Sequence, residues 1–84
     1  MTDPIELRKW VRITLSAFPE GRRASKVLLF TKLKKEFDDL RVDELTVAID
    51  WNQAKGYVDF FHNGDEERDE FFLTDRGRAK EGLA

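Results

Sequence analysis

The spacing of the apolar residues changes at Gly56-Tyr57-Val58-Asp59-Phe60-Phe61-His62-Asn63-Gly64. Downstream of Gly56 the apolar side chains alternate around Val58 and Phe60, which predicts a β-strand. Asn63-Gly64 is a signal for a tight hairpin turn with both residues at positive φ, and residues 69–73 form the predicted returning strand. Upstream of Gly56 the apolar residues follow a helical period. The chain is therefore predicted to pass from a helix directly into a β-hairpin.

The helix before the hairpin is predicted from Val42, Leu45, Ile49 and Asn52, which are spaced 3, 4 and 3 residues apart. Acidic residues follow Val42 in its first turn, and Gly56 is the predicted stop. Asn52 is a polar residue on an apolar stripe. We interpret it as a buried amide whose hydrogen bonds hold a neighbouring loop.

The first helix is predicted to begin at Asp3-Pro4, because Asp3 can cap it and Pro4 suits the first turn. Its apolar side chains occupy an arc of about 140° on a helical wheel. They are Leu7, Trp10, Val11, Thr14, Leu15 and Phe18. The basic residues Arg8, Lys9 and Arg12 are predicted on the opposite side.

The second helix has an ambiguous start at residues 27–30. This apolar run fits a short buried strand, with Thr31 capping the helix after it, or the first turn of a helix capped by Ser25. In both cases the spacing of Phe30, Leu33, Phe37 and Leu40 predicts a helix over at least residues 32–38. A short helical tail capped by Thr74 is predicted after the hairpin and runs to about residue 81.

Length and composition limit the function classes. Eighty-four residues without cysteine fit one domain over residues 1–84, with no disulfide framework and no thiolate metal site. No apolar run reaches the ~18–20 residues that span a bilayer, and the N-terminus lacks a signal-peptide pattern. We therefore expect a cytoplasmic protein with no membrane contact. His62 has no second histidine or cysteine to work with, so we expect no enzyme, no metal and no cofactor.

Two stretches resemble parts of winged helix-turn-helix domains. Ala54-Lys55-Gly56-Tyr57-Val58 is similar to the end of a winged-helix recognition helix. Phe72-Leu73-Thr74-Asp75-Arg76-Gly77 resembles the "LTxxG" exit of the second wing strand in many bacterial members. Arg68 follows three acidic residues and is similar to the wing arginine of MarR-like regulators. The sequence departs from the family at Asn52, where an aliphatic residue is usual, and it has no long dimerisation helix.

The resemblance implies an α+β fold, namely a single winged-helix domain with three helices, a β-hairpin wing in the C-terminal half and a short helical tail. It implies a non-enzymatic module that binds double-stranded DNA as a transcription regulator, with the third helix in the major groove. The residues expected to face DNA are Lys26, Lys32, Lys34, Lys35, Arg41, Thr46, Asp50, Gln53 and Arg68. The sequence leaves the oligomeric state undecided, with a homodimer as one alternative.

The distribution of charge gives this function mixed support. Residues 1–40 hold nine Lys/Arg and six Asp/Glu, a net charge of +3, whereas residues 41–84 hold six and eleven, a net charge of −5. The predicted wing carries Asp65, Glu66, Glu67, Asp69 and Glu70 around Arg68, and these acids repel phosphates within a Debye length of about 8 Å. Weak or wing-free DNA binding is therefore expected. Both sets of charges also fit ordinary solvated faces.

A protein interface is the alternative function. Val47, Trp51 and Ala54 lie within about 60° of one another on the wheel of the third helix, away from Leu45 and Ile49. A tryptophan beside a valine, with acidic residues around it, has the composition of a small interface anchor. Trp51 also fits a place at the edge of the domain's own core, packed against the wing.

Overall fold

The computed structural model describes residues 3–18, 23–62, 64 and 69–81. Within these residues the chain forms four helices and a three-stranded antiparallel sheet, so the α+β prediction is confirmed. The helices are α1 (Pro4–Ser16), α2 (Lys26–Lys34), α3 (Val42–Ala54) and α4 (Asp75–Lys80). The strands are β1 (Ala24–Ser25), β2 (Val58–Phe61) and β3 (Glu70–Leu73).

The cap at Ser25 decides the ambiguous start of α2. The Ser25 Oγ accepts a hydrogen bond from the Leu28 N–H at 3.2 Å, so residues 27–30 are helical and their interpretation as a strand is wrong. The predicted extent over residues 32–38 is also wrong, because α2 ends at Lys34. After it, the Phe37 N–H donates to the Leu33 carbonyl at 2.9 Å and the Leu40 N–H donates to the Phe37 carbonyl at 3.0 Å. These turns bring Phe37 and Leu40 to the core with helix-like spacing.

An antiparallel β2–β3 hairpin forms as predicted, but its last pair is Phe61–Glu70, so residues 62–69 separate the strands and the prediction of a tight turn at Asn63-Gly64 is wrong. β2 pairs with β3 from Val58–Leu73 to Phe61–Glu70, and β1 adds to the far side of β3, so the strand order is β1-β3-β2. Gly64 has the expected positive φ, at +95°, while Asn63 lies outside the described residues. Val58 is buried, whereas Phe60, the other residue of the predicted alternation, is 42% exposed.

β2 lies at one edge of the described sheet. The Thr74 N–H donates to the Tyr57 carbonyl at 3.0 Å, so Tyr57 and Thr74 form a hydrogen-bonded pair of the hairpin. Hydrogen-bonded and non-hydrogen-bonded pairs alternate along an antiparallel ladder. Phe60 therefore belongs to a non-hydrogen-bonded pair, and its N–H points away from β3. It donates instead to Oδ1 of Asp59 at 2.8 Å.

The core lies where α1 packs against α2, α3 and β3, with β1 beside α2 and β2 beside α3. Its largest fully buried side chains are Leu7, Val11, Leu29, Leu33, Leu45, Ile49 and Asn52. Burial of each large aliphatic side chain stabilises the fold by about 1.5–3 kcal/mol. Asn52 is the polar member of this set.

A buried polar network joins α1 to α3 and to the end of α4. The Arg12 side chain donates from Nη1 to Oδ1 of Asn52 at 2.9 Å and from Nε to Oε1 of Glu81 at 2.6 Å. The Asn52 amide donates to the Ala48 carbonyl at 2.9 Å and to the Arg8 carbonyl at 3.2 Å. Asn52 is therefore a satisfied buried amide, as predicted, but it holds a helix rather than a loop.

Arg12 corrects the prediction for the first helix. It was expected on the side opposite the core, yet only 6% of its surface is exposed. Its two partners, Asn52 and Glu81, come from distant parts of the chain and cover it. A buried guanidinium needs such partners, because an unsatisfied buried charge costs several kcal/mol.

Candidate nucleic-acid and protein interfaces

The solvent-facing side of α3 is acidic and apolar. It carries Asp43, Val47, Asp50 and Ala54, all exposed, and Val47 is 60% exposed. The helix contains no Lys or Arg between residues 42 and 54. This side of α3 therefore brings no cation to a phosphate backbone.

A groove of ≈ 300 Å³ separates α3 from the sheet, and we call it the α3–sheet groove. Its lining residues are Lys26, Thr46, Ile49, Asp50, Gln53, Phe60, Asp69 and Phe71. It brings together four of the residues predicted to face DNA, which are Lys26, Thr46, Asp50 and Gln53. Thr46 and Gln53 are half-buried at its wall, and Asp50 is exposed at its mouth.

The other predicted cations are not gathered into one surface. Lys32 and Lys34 lie about 160° apart around α2, since each residue turns the helix by about 100°. The Lys32 Nζ lies 5.5 Å from the centre of the Phe18 ring, whereas the Lys34 Nζ donates to the Leu40 carbonyl at 3.0 Å. Lys32 and Lys34 therefore do not share one face of the helix. Lys35 is exposed at the C-cap of α2.

Arg41 lies just before α3, next to the carbonyl that Lys34 contacts. Its Nε is 3.3 Å from Oδ1 of Asp43, and both side chains are strongly exposed. An exposed pair of this kind contributes only about 0–1 kcal/mol, so Arg41 stays available to other anions. Arg68, the predicted wing arginine, lies outside the described residues, and the same holds for Asp65, Glu66 and Glu67.

Asp69 differs from the prediction of an exposed wing acid. It is only 9% exposed, and its Oδ1 lies 2.7 Å from the Nδ1 of His62. His62 has 56% of its side chain exposed, which agrees with its prediction as a surface residue. The described residues contain no group of three His, Cys, Asp or Glu that could hold a metal ion.

A second groove, of ≈ 270 Å³, lies between α1 and α3, and we call it the α1–α3 groove. Its lining residues are Pro4, Leu7, Arg8, Asp43, Glu44, Val47 and Ala48. The apolar members form most of this lining, with Arg8 at one rim and two acids of the first turn of α3 at the other. Val47 joins this groove to the exposed side of α3.

Trp51 lies beside this groove and packs against Tyr57. The two ring centres are 6.0 Å apart, and both side chains are half-buried. The Arg8 guanidinium lies 4.6 Å from the centre of the Trp51 ring, and the Lys55 Nζ lies 5.7 Å from it. Trp51 is thus neither an open anchor nor a core residue, because cations cover its ring at the place where α3 meets β2.

Cations also lie close to the Tyr57 ring. The Arg12 and Arg76 guanidinium groups lie 5.4 and 5.8 Å from its ring centre. We call Arg8, Trp51, Lys55, Tyr57 and Arg76 the cation–aromatic cluster. The spacing of Trp51 and Lys55, one helical turn apart, was the only signal of this cluster that the sequence offered. Arg8 and Arg76 come from distant segments, so no local pattern could have found them.

Comparison of the chain with models of protein families, with curated proteins and with solved structures finds no match. Among the helices described, none has both the length and the apolar character needed to cross a membrane. The two grooves and the cation–aromatic cluster are therefore what points to a function.

Proposed function

We propose that this chain is a winged-helix module that binds double-stranded DNA weakly, through α2 and the turn that leads into α3. The observation that carries this proposal is the order α1-β1-α2-α3-β2-β3 together with the strand order β1-β3-β2. Winged-helix domains have this order of elements, in which the third helix lies beside the hairpin. Because folds host many functions, the surface has to support the binding separately.

Phosphate contacts are supported by cations on one side of α2. Lys26 lies at the α3–sheet groove, and the Lys34 side chain reaches the Leu40 carbonyl, next to Arg41. Three or four such contacts give a plot of log affinity against log salt with a slope of about −3 to −4. This corresponds to weak binding at physiological salt for a single domain.

Base contacts are supported by polar side chains at the α3–sheet groove. Gln53 has the donor and acceptor that pair with adenine, and Asp50 can accept from the amino group of cytosine. Asp43 and Asp50 also repel phosphates, because no cation of α3 offsets them. We therefore expect α3 to discriminate poorly between DNA sequences.

The test is fluorescence anisotropy with a labelled random DNA duplex at low salt. Lys34→Gln should weaken binding and make the salt slope shallower by about one, because one phosphate contact is lost. Lys32→Gln is the matched control on the same helix, and it should change neither quantity. Equal effects of the two substitutions would contradict the proposed surface.

A second substitution tests whether the negative charge of Asp50 weakens DNA binding. Asp50→Asn should strengthen DNA binding, because it removes a negative charge from the mouth of the α3–sheet groove. Asp75→Asn, on the exposed first turn of α4, is its control and should have no effect. No binding at low salt, or no gain from Asp50→Asn, would overturn the proposal.

A protein partner is the second candidate function, favoured by the 60% exposure of Val47. Val47, Trp51 and Ala54 do not by themselves form a continuous apolar surface, since Arg8 and Lys55 cover the Trp51 ring. A partner on this side of α3 therefore meets positive charge as well as apolar surface.

A further inference from the structure

The α1–α3 groove and the cation–aromatic cluster form one continuous face, because Arg8 belongs to both. Arg8 lines the groove, and its guanidinium stacks on Trp51 at 4.6 Å. Its Nε is buried and has no hydrogen-bond partner among the described residues. Arg8, at the end of the groove, therefore has one N–H donor without an acceptor among the described residues.

Among the residues that the structure describes, no carboxylate pairs with the cations of this face. Within the described residues, neither Arg8 nor Lys55 nor Arg76 makes an ion pair, whereas Arg12 is already paired with Glu81. Lys55 and Arg76 are exposed, and aromatic rings rather than acids hold all three cations in place. The cluster thus presents an arranged positive surface to solvent.

The α1–α3 groove also favours a ligand that carries an apolar group. Leu7, Val47 and Ala48 form a lining suited to an aliphatic side chain, in a volume of ≈ 270 Å³. Of the two acids in its lining, Asp43 has a cation close by, since the Arg41 Nε lies 3.3 Å from its Oδ1. A ligand that satisfies the whole face has an aliphatic side chain followed by negative charges on the side of Arg8.

We propose that this face binds an acidic peptide segment of another protein. An aliphatic side chain of the segment enters the α1–α3 groove, and its carboxylates bind the cations of the cluster. A DNA duplex fits less well, because it offers no aliphatic side chain to the α1–α3 groove. This proposal is independent of DNA binding, which involves α2 and the opposite side of α3.

The probe is a short fluorescein-labelled peptide of alternating Leu and Glu, titrated with the full chain at low salt. Its anisotropy should rise on binding, and a peptide of Ser and Glu should bind at least ten-fold more weakly, because the groove is then empty. A peptide of Leu and Lys should not bind. Equal binding of the Leu–Glu and Ser–Glu peptides would overturn the role of the groove.

Single substitutions locate the binding surface. Lys55→Gln and Arg76→Gln should each weaken binding of the Leu–Glu peptide about two- to five-fold, the range expected for exposed charge pairs. Lys9→Gln is the control, since Lys9 follows Arg8 but has no place in the cluster. Val47→Asp should abolish binding because it puts a charge in the groove. Unchanged binding in the two cluster variants would refute the proposal.

Two further measurements separate other occupants of this face. Sedimentation of the chain alone should show no self-association through this face. Self-association that Val47→Asp removes would make a second copy of the chain the occupant. Unlabelled DNA duplex should not displace the peptide, because displacement would make DNA the occupant. Lys34→Gln should leave peptide binding unchanged even where it weakens DNA binding, so the two proposals can fail separately.

Discussion

The buried bond between Arg12 and Asn52 predicts that Asn52→Leu destabilises the domain. Asn52→Leu removes the Oδ1 that accepts from Arg12 Nη1 at 2.9 Å, at a site with no solvent exposure. The two carbonyls that the amide contacts belong to α1 and α3 and keep their regular helix bonds. The guanidinium of Arg12, only 6% exposed, keeps Glu81 alone as a hydrogen-bond partner.

The expected cost follows from the charge of Arg12. A hydrogen bond to a charged group contributes about 1.5–3 kcal/mol, and the leucine at this position cannot replace it. Asn52→Leu should therefore lower the free energy of unfolding by about 1.5–3 kcal/mol. For a domain of this size each kcal/mol lowers the melting temperature by about 4–8 °C.

Urea denaturation followed by far-UV circular dichroism measures this change, and an unchanged m-value shows that the unfolded state is not affected. A higher midpoint for Asn52→Leu would refute the reasoning, since an aliphatic residue would then suit this position better.

The remaining predictions concern Gly77 in α4, Gly64 between β2 and β3, and the α4 cap at Thr74, and thermal melts measure all of them. Gly77→Ala should lower stability by about 1–3 kcal/mol, because its Cβ would lie 2.2 Å from the Tyr57 carbonyl oxygen and 2.6 Å from Leu73 Cδ1; a melt like the parent's would contradict the close packing of α4. Gly64→Ala meets no atom within 4 Å and should cost only about 1–2 kcal/mol, from the strain of φ +95°. Thr74→Ala should cost about 0.5–2 kcal/mol through loss of the cap on the Gly77 N–H, and Thr74→Ser should restore most of it.

Local signals predicted the elements of this fold well. Asp3 caps α1, Thr74 caps α4, and Gly56 ends α3 with φ +78°, because each of these features acts within a few residues of the chain. The hairpin was predicted for the same reason. The end of α2 was missed, since Phe37 and Leu40 keep helical spacing while turns, not a helix, bring them to the core.

Contacts between distant segments account for what the sequence could not predict. Arg12 lies on the polar side of the helical wheel, and only the packing of Asn52 and Glu81 over it makes it a buried residue. The same limit applies to the candidate sites. Lys32 and Lys34 were both expected to face DNA, but they contact Phe18 and the Leu40 carbonyl, which lie outside α2 and which no local pattern predicts.

The hydrogen bond from the Phe60 N–H to Asp59 bears on how the protein behaves at high concentration. An outer strand with open N–H groups can recruit the strand of a neighbouring molecule and start a growing intermolecular sheet. β2 carries two exposed phenylalanines, Phe60 and Phe61, which would favour such growth. Asp59 occupies the N–H that a neighbour would use and adds a negative charge beside it. This carboxylate therefore blocks one backbone donor through which a neighbouring molecule would add a strand to β2.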